Sequence, residues 1–297
     1  MPHAHVATLA ANPARPVLTE ALIDRAARAL GQETERHVLA RGVAADLFFD
    51  AGRDGAEAGL RDALWGEPVD VILQPAATRV KRLFLADMDS TMIGQECIDE
   101  LADFVGLKAE VSAITERAMR GEIAFEPALR ERVALLKGLT VGVVDEIIRT
   151  RIVLTPGGRE LVRTLRARGA YTALVSGGFT LFTGPVGNAI GFDEHRSNRL
   201  VTAGGTLTGE VEEPILGREA KLATLIELRE RFGLLPEETM AVGDGANDLA
   251  MLGEAGLGVA FRAKPAVAAA AHARLDHADL TALLYAQGYR AEDFAAA

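Results

Sequence analysis

The sequence predicts an α/β protein: a parallel sheet with a helical insertion after its first strand, behind a small α+β unit. Three observations predict it. From residue 82 onward, short apolar runs alternate with helical segments, as in βαβ units. Residues 95–151 interrupt that alternation with several helical segments and no convincing strand. The 297 residues also exceed a usual single domain about twofold, so more than one unit is expected.

The amino-terminal stretch, residues 5–75, reads β-α-β-β-α-β-like. Val6–Ala10 is a short strand, and Thr19–Leu30 has helical spacing through Leu22, Ile23, Ala26, Ala27 and Leu30, stopped by Gly31. Val43–Phe49 is strand-like, Ala56–Leu64 helical, and Val69–Leu73 a further strand. Pro75 through Lys81 reads as a linker. Arg82–Ala86 then runs apolar into charged Asp87, as a buried parallel strand does on opening into a loop. The insertion carries helices at Glu96–Val105, Lys108–Arg120, Pro127–Leu136 and Val143–Ile148. After Thr155-Pro156-Gly157-Gly158 come helix Arg159–Arg168, strand Tyr171–Val175 and a helix from about Phe179. A Gly- and Thr-rich hairpin follows over Asn198–Val211. Helix Lys221–Phe232, strand Thr239–Val242, helix Ala246–Glu254 and strand Gly258–Ala260 complete the series. The predicted units are 1–78, a core of 80–94 with 152–297, and a helical cap over 95–151.

Composition narrows the function. Hydrophobic residues make up 49% and charged residues 25%, an ordinary globular balance that excludes collagen, coiled coil and disorder. Net charge is −10, and the first 80 residues hold 8 Arg, no Lys and 11 acids. Nucleic acid and anionic membrane are therefore not expected partners. Cys97 is the single cysteine, so no internal disulfide or cysteine-based zinc site forms. No apolar run is long enough for a membrane span, and Met1-Pro2-His3-Ala4-His5 does not open like a signal peptide. A cytoplasmic protein is expected.

In open α/β sheets ligands collect at the carboxyl ends of strands. Those ends read Asp87-Met88-Asp89-Ser90-Thr91, Ser176-Gly177-Gly178 and Gly243-Asp244-Gly245-Ala246-Asn247-Asp248, and Lys221 opens a helix between the last two. Crowded carboxylates repel and call for a cation, and oxygen ligands without His or Cys favour Mg2+. A serine among free backbone N–H groups cradles phosphate, and a lysine adds a point charge for it. Taken singly, each motif also reads as a loop or cap. An EF-hand is excluded by Met92 at the sixth position and Ile98 at the twelfth; a dinucleotide fingerprint is excluded by Asp248 where its last Gly should stand. Jointly, they describe a phosphoryl-transfer site.

These residues resemble the motifs of the haloacid dehalogenase-like phosphatases: Asp87-x-Asp89-x-Thr91, Ser176, Lys221 and Gly243–Asp248. Gln95–Glu100, Arg117–Gly121, and Phe125 with Leu129–Val133 look like the phosphoserine phosphatases among them. The resemblance covers about residues 80–285. It implies a Rossmann-like core and Mg2+-dependent hydrolysis of O-phospho-L-serine, the last step of serine biosynthesis. Asp87 would be the nucleophile and Asp89 the general acid and base. Mg2+ would sit on Asp87, the Asp89 backbone carbonyl and Asp244. Ser176, Gly177 and Lys221 would bind the phosphoryl oxygens, Asn247 would orient them, and Asp248 would support the metal or Lys221. Glu96 would grip the substrate ammonium and Arg132 its carboxylate, although by spacing alone both read as solvated helix charges.

Cys97 reads as a buried packing thiol, Phe125 and Met119 as lid residues that exclude water. The amino-terminal unit resembles an ACT-like regulatory domain, which implies a homodimer and binding of serine or another amino acid; a merely stabilising appendage is the plainer reading. The alternatives are a phosphotransferase or phosphatase for another small amino-alcohol phosphate, and a catalytically silent amino-acid-binding regulator.

Overall fold

The computed structural model describes residues 3–50, 53–119 and 122–296; Arg120 and Gly121 of the sequence motif lie outside them. The amino-terminal unit runs β1 (His5–Ala11), α1 (Glu20–Ala29), β2 (Glu35–Ala40), β3 (Ala44–Phe49), α2 (Arg53–Ala63) and β4 (Val69–Pro75). Its antiparallel sheet has the order β2-β3-β1-β4. Thr19 caps α1 by accepting from the Leu22 N–H, and Ile23, Ala26 and Ala27 turn inward onto Leu9, Leu47 and Leu60. The opposite face of β1 is covered as well, so the strand is apolar almost throughout instead of alternating.

The larger sheet is parallel throughout, with six strands ordered β12-β11-β10-β5-β6-β7. Its strands are β5 (Leu83–Ala86), β6 (Tyr171–Phe179), β7 (Glu194–Asn198), β10 (Thr239–Gly243), β11 (Leu257–Phe261) and β12 (Ala273–Leu275). Between β5 and β6 come α3 (Cys97–Phe104), α4 (Lys108–Met119), α5 (Phe125–Ala134), α6 (Gly142–Thr150) and α7 (Gly158–Ala167). The crossovers beyond are α8 (Thr180–Ile190), α9 (Arg218–Arg231), α10 (Leu249–Glu254) and α11 (Pro265–Ala270), and α12 (Ala282–Ala286) closes the chain. From β5 the chain winds outward through β6 and β7, then returns to β5's other side at β10. That reversal places a crevice at the carboxyl ends of β5, β6 and β10, where sheets of this kind hold ligands.

The hairpin β8 (Leu200–Ala203) and β9 (Thr206–Val211) turns on Gly204 and Gly205, both at positive φ, which suits a two-residue turn between twisted strands. It braces the helical insertion: the Gly138 N–H donates to the Leu207 carbonyl and the Val141 N–H to that of Gly205. The stretch read as a linker is instead docked. Arg79 donates to Asp46 and to the Tyr285 and Ala286 carbonyls, and Lys81 is buried, donating to the Thr78 and Glu237 carbonyls. Nearby, buried Asp70 accepts from the backbone N–H groups of Asp276, His277 and Ala278 at 2.8–3.0 Å, which joins the two units.

Candidate active site

Asp87 ends β5 with its backbone N–H on the Val242 carbonyl, and its Oδ1 accepts from the Met88 N–H (2.8 Å). The next residues form a wide turn closed by the Ile93 N–H on the Met88 carbonyl, with Ser90 at φ 53°. This turn brings Asp89 back to the mouth beside Asp87. There Asp89 Oδ1 accepts from the Cys97 N–H (3.0 Å) and Oδ2 from the Ser176 hydroxyl (3.3 Å).

Ser176 lies four residues ahead of α8, not at its N-terminus. It lies within β6, in a bulge: Val175 pairs with Arg196 and Phe179 with Asn198, so β6 spends three residues where β7 spends one. Gly178 has to be glycine there, because a Cβ would lie 2.9 Å from Asp89 Oδ2 and 3.0 Å from Ser176 Oγ.

Behind the mouth, Lys221 from the first turn of α9 is 1% exposed and lies 2.7 Å from both Asp87 Oδ1 and Asp248 Oδ1. The Gly245 N–H holds the second Asp248 oxygen at 3.0 Å. Thr91 donates to Asp244 (3.2 Å). Asp248 pairs with Lys221 and also stands with Asp87 and Asp244 in one acidic cluster. Burial alone would lower the Lys221 ammonium, but Asp87 and Asp248 outweigh it and hold it above the usual lysine range. Burial, with Asp248 beside it, pushes Asp87 well up. Burial likewise raises Asp89, and burial and the neighbouring Asp248 charge raise Asp244.

Carboxylate oxygens of Asp87, Asp244 and Asp248 lie within 4.8 Å of one another, and among the described residues Lys221 is the ammonium paired with Asp87 and Asp248. Three oxygen-donor carboxylates facing one cation leave the cluster negative, a set that fits a hard divalent ion.

The insertion roofs a cleft of about 510 Å3, whose lining includes Asp87, Asp89, Ser176 and Asp244 below with Glu96 and Arg132 above. Gly177 and Asn247 line it too; Lys221 and Asp248 stand behind Asp87. All ten residues singled out in the sequence are thus gathered at one site. Glu96 is open to the cleft, and its carboxyl is pushed up to about 7 by burial and the neighbouring Asp89, against a hydrogen bond from Ser90 (2.6 Å). Arg132 on α5 donates to the Ala128 carbonyl and Thr115, and burial lowers it while Asp99 and Glu96 pull the other way. The ring of Phe125 lies where a Cβ on Gly177 would meet it at 3.5 Å. Cys97 is buried and its thiol is raised further by burial and by Asp89, so it packs and does not react.

Sequence reasoning missed Lys264, at the cleft rim near Asp244, and Asn198, which sits behind the bulge. Both come from segments without an apolar period to mark them.

The sequence pattern of haloacid dehalogenase-like hydrolases matches residues 84–253, more than half of the chain. The chain belongs to that family. The hydrolase is 49% identical over 208 residues to a phosphoserine phosphatase of Polaromonas sp. (strain JS666), covering 68% of this chain and 88% of that one. It is 35% identical to the phosphoserine phosphatase of Saccharomyces cerevisiae, over 92% of this chain and 93% of the yeast protein. Its fold superimposes on the crystal structure of a haloacid dehalogenase-family hydrolase from Salmonella enterica serovar Typhi with a TM-score of 0.85 and 27% identity, covering 95% and 97% of the two chains. Both units of the hydrolase are therefore shared with that structure. No helix among the described residues is long and apolar enough to cross a membrane.

Proposed function

We propose that this hydrolase cleaves O-phospho-L-serine to L-serine and phosphate, the last step of serine biosynthesis, in the cytoplasm. One observation carries the reading: a pair of carboxylates, buried Asp87 and half-buried Asp89, faces a lid that offers an acid for an ammonium and a guanidinium for a carboxylate. The relatives named above as phosphoserine phosphatases support the same substrate.

Asp87 Oδ1 is occupied by the Met88 N–H and Lys221, so Oδ2, which takes no hydrogen bond from the described residues, is the attacking oxygen. A bond forms from Oδ2 to phosphorus as the bond from phosphorus to the serine oxygen breaks. Asp89, whose carboxyl is raised by burial, is the acid that gives a proton to that oxygen. It then takes a proton from the water that attacks the aspartyl-phosphate, which frees phosphate and restores Asp87. Ser176, the Gly177 N–H, Asn247 and Lys221 hold the phosphoryl oxygens. Asp87, Asp244 and the Asp89 backbone carbonyl would hold Mg2+, which when bound offsets the repulsion between anionic nucleophile and anionic ester. Glu96 binds the substrate ammonium and Arg132 its carboxylate. In the same proposal residues 95–151 are the specificity lid, and residues 1–78 an ACT-like unit for dimerisation or amino-acid binding, supported by their β-α-β-β-α-β order.

The test is phosphate release from phosphoserine, phosphoethanolamine and p-nitrophenyl phosphate, with Mg2+ and with chelator, beside an Asp87→Asn variant. Metal-dependent preference for phosphoserine, abolished in the variant, is expected. Equal turnover of all three esters would refute the substrate, and an active variant would refute the nucleophile.

A further inference from the structure

Asn198 ends β7 opposite the Ser176–Gly177–Gly178 bulge, and is 2% exposed. Its Nδ2 donates to the carbonyls of Gly177 (2.8 Å) and Leu216 (3.1 Å), and its Oδ1 accepts from the Leu216 N–H (2.7 Å). Two carbonyl acceptors and one N–H donor admit a single orientation of the amide.

The Gly177 carbonyl shares a peptide with the Gly178 N–H, and in a trans peptide the two point in opposite directions. That N–H donates to Ser176 Oγ (2.8 Å), and the Ser176 hydroxyl donates to Asp89 Oδ2 (3.3 Å). One hydrogen-bonded chain thus runs from Asn198, through the Gly177–Gly178 peptide and Ser176, to Asp89. With the Gly178 N–H filling one lone pair of Oγ, the hydroxyl proton is kept for an anionic oxygen. The weak point is the peptide itself. Glycine is required at 178 by the closeness of Asp89 and Ser176, and glycine on both sides leaves little steric brake on rotation. Asn198 is that brake. Through Leu216, beside the residue preceding α9, it also ties the bulge to the helix that carries Lys221.

We propose that Asn198 is a positioning residue for phosphoryl transfer: it locks the Gly177–Gly178 peptide so that Ser176 stays a donor aimed at the reacting phosphate and at Asp89. This rests on the roles of Ser176 and Asp89 given above, and adds a residue that touches neither substrate nor metal.

The test uses the full chain with Asn198→Ala and the isosteric Asn198→Asp, assayed on phosphoserine and p-nitrophenyl phosphate across pH. For Asn198→Ala, kcat falls about tenfold to a hundredfold on both esters, with a smaller change in KM. For Asn198→Asp, an ionised carboxylate faces two carbonyl oxygens and repels them, whereas the protonated form regains one donor. Its activity relative to the parent therefore rises as pH falls. Unchanged kcat in Asn198→Ala, or a pH-independent ratio in Asn198→Asp, overturns the proposal. A parent that turns over the aryl ester but not phosphoserine refutes the substrate alone, and the Asn198 comparison stands on the aryl ester. Hydrogen exchange at the Gly178 amide needs no ester: it accelerates in Asn198→Ala, and unchanged exchange overturns the proposal as well.

Discussion

The carboxyl of Glu96, held near 7 by burial and by Asp89, predicts a pH signature that depends on substrate. Protonated Glu96 is neutral and cannot pair with an ammonium. As pH falls through about 7 its ionised fraction drops, about tenfold for each further unit. Since kcat/KM reports the free enzyme, its value for phosphoserine falls with that slope. The bound ammonium favours ionised Glu96, so the corresponding limb in kcat lies at lower pH. Each ester's own phosphate ionisation is measured and divided out, the aryl ester's lying below the alkyl ester's. The ratio of the corrected kcat/KM for phosphoserine to that for p-nitrophenyl phosphate then isolates Glu96. Neutralising Asp244 with a cation removes one minor cause of the shift; burial, the largest, persists and keeps the limb above the ordinary glutamate range. Glu96→Gln removes a charge-assisted contact of about 1.5–3 kcal/mol, raising KM for phosphoserine about tenfold to a hundredfold and abolishing the limb in the ratio. Steady-state assays of both esters across pH check this. A ratio that is flat with pH in the parent, or a limb that survives in Glu96→Gln, refutes the assignment.

Four further outcomes follow. Lys221→Met leaves Asp87 and Asp248 buried without their cation, and chemical denaturation should show a loss of about 3–5 kcal/mol along with activity; unchanged stability would mean the carboxylates are not charged together. Mg2+ raises the parent's melting temperature by mass action and does so far less in Asp244→Asn; the same rise in both would move the ion elsewhere. Arg132→Ala lowers kcat/KM on phosphoserine about tenfold or more while sparing p-nitrophenyl phosphate, and equal losses would remove its carboxylate role. Asp70→Ala leaves the N–H groups of residues 276–278 without their acceptor, at a cost of about 2–5 kcal/mol. Limited proteolysis should then cut within residues 75–81, and an unchanged digest would count against the joint.

The acidic half of the candidate site was legible because its residues lie in contiguous strand-end runs. Asp87–Thr91 and Gly243–Asp248 each fold on themselves through bonds such as Gly245 N–H to Asp248, so short sequence carries the geometry. What escaped was built from polar or short segments. β2 is an edge strand with Glu35, Arg36 and His37 exposed, and β12 has three residues. β7 reads Glu-His-Arg-Ser-Asn, an edge strand whose Arg196 pairs with Glu194 and Glu227 where an inner strand would carry apolar side chains. Missing β7 meant missing Asn198, whose bonds span 18 and 21 residues and leave no local period. The docked stretch 75–81 was misread for the same reason: Arg79 and Lys81 look solvated until the Tyr285, Ala286 and Glu237 carbonyls, more than 150 residues away, are in place.

The two groups assigned to the amino-acid end of the substrate are attached to the nucleophile in different ways. Glu96 precedes α3 and is fixed to the core: Ser90 of the Asp87 turn donates to it, and the next N–H, that of Cys97, donates to Asp89. The insertion enters and leaves the core beside this point, where Gly94 N–H meets the Val153 carbonyl and Gln95 accepts from the Val153 N–H. Arg132 is further along, on α5, which meets the core through the hairpin β8–β9 packed against it and through Phe125 beside Gly177. Were the insertion to shift about its entry and exit at Gly94 and Val153, Arg132 would move with it, while the bonds from Ser90 and Cys97 would keep Glu96, Asp89 and Asp87 in mutual register. In the proposed roles, ammonium recognition by Glu96 is built into the same turn as the nucleophile, whereas carboxylate recognition by Arg132 depends on where the insertion sits. An ester lacking the carboxylate gives the lid nothing to hold, which is why discrimination should appear in turnover as well as in binding.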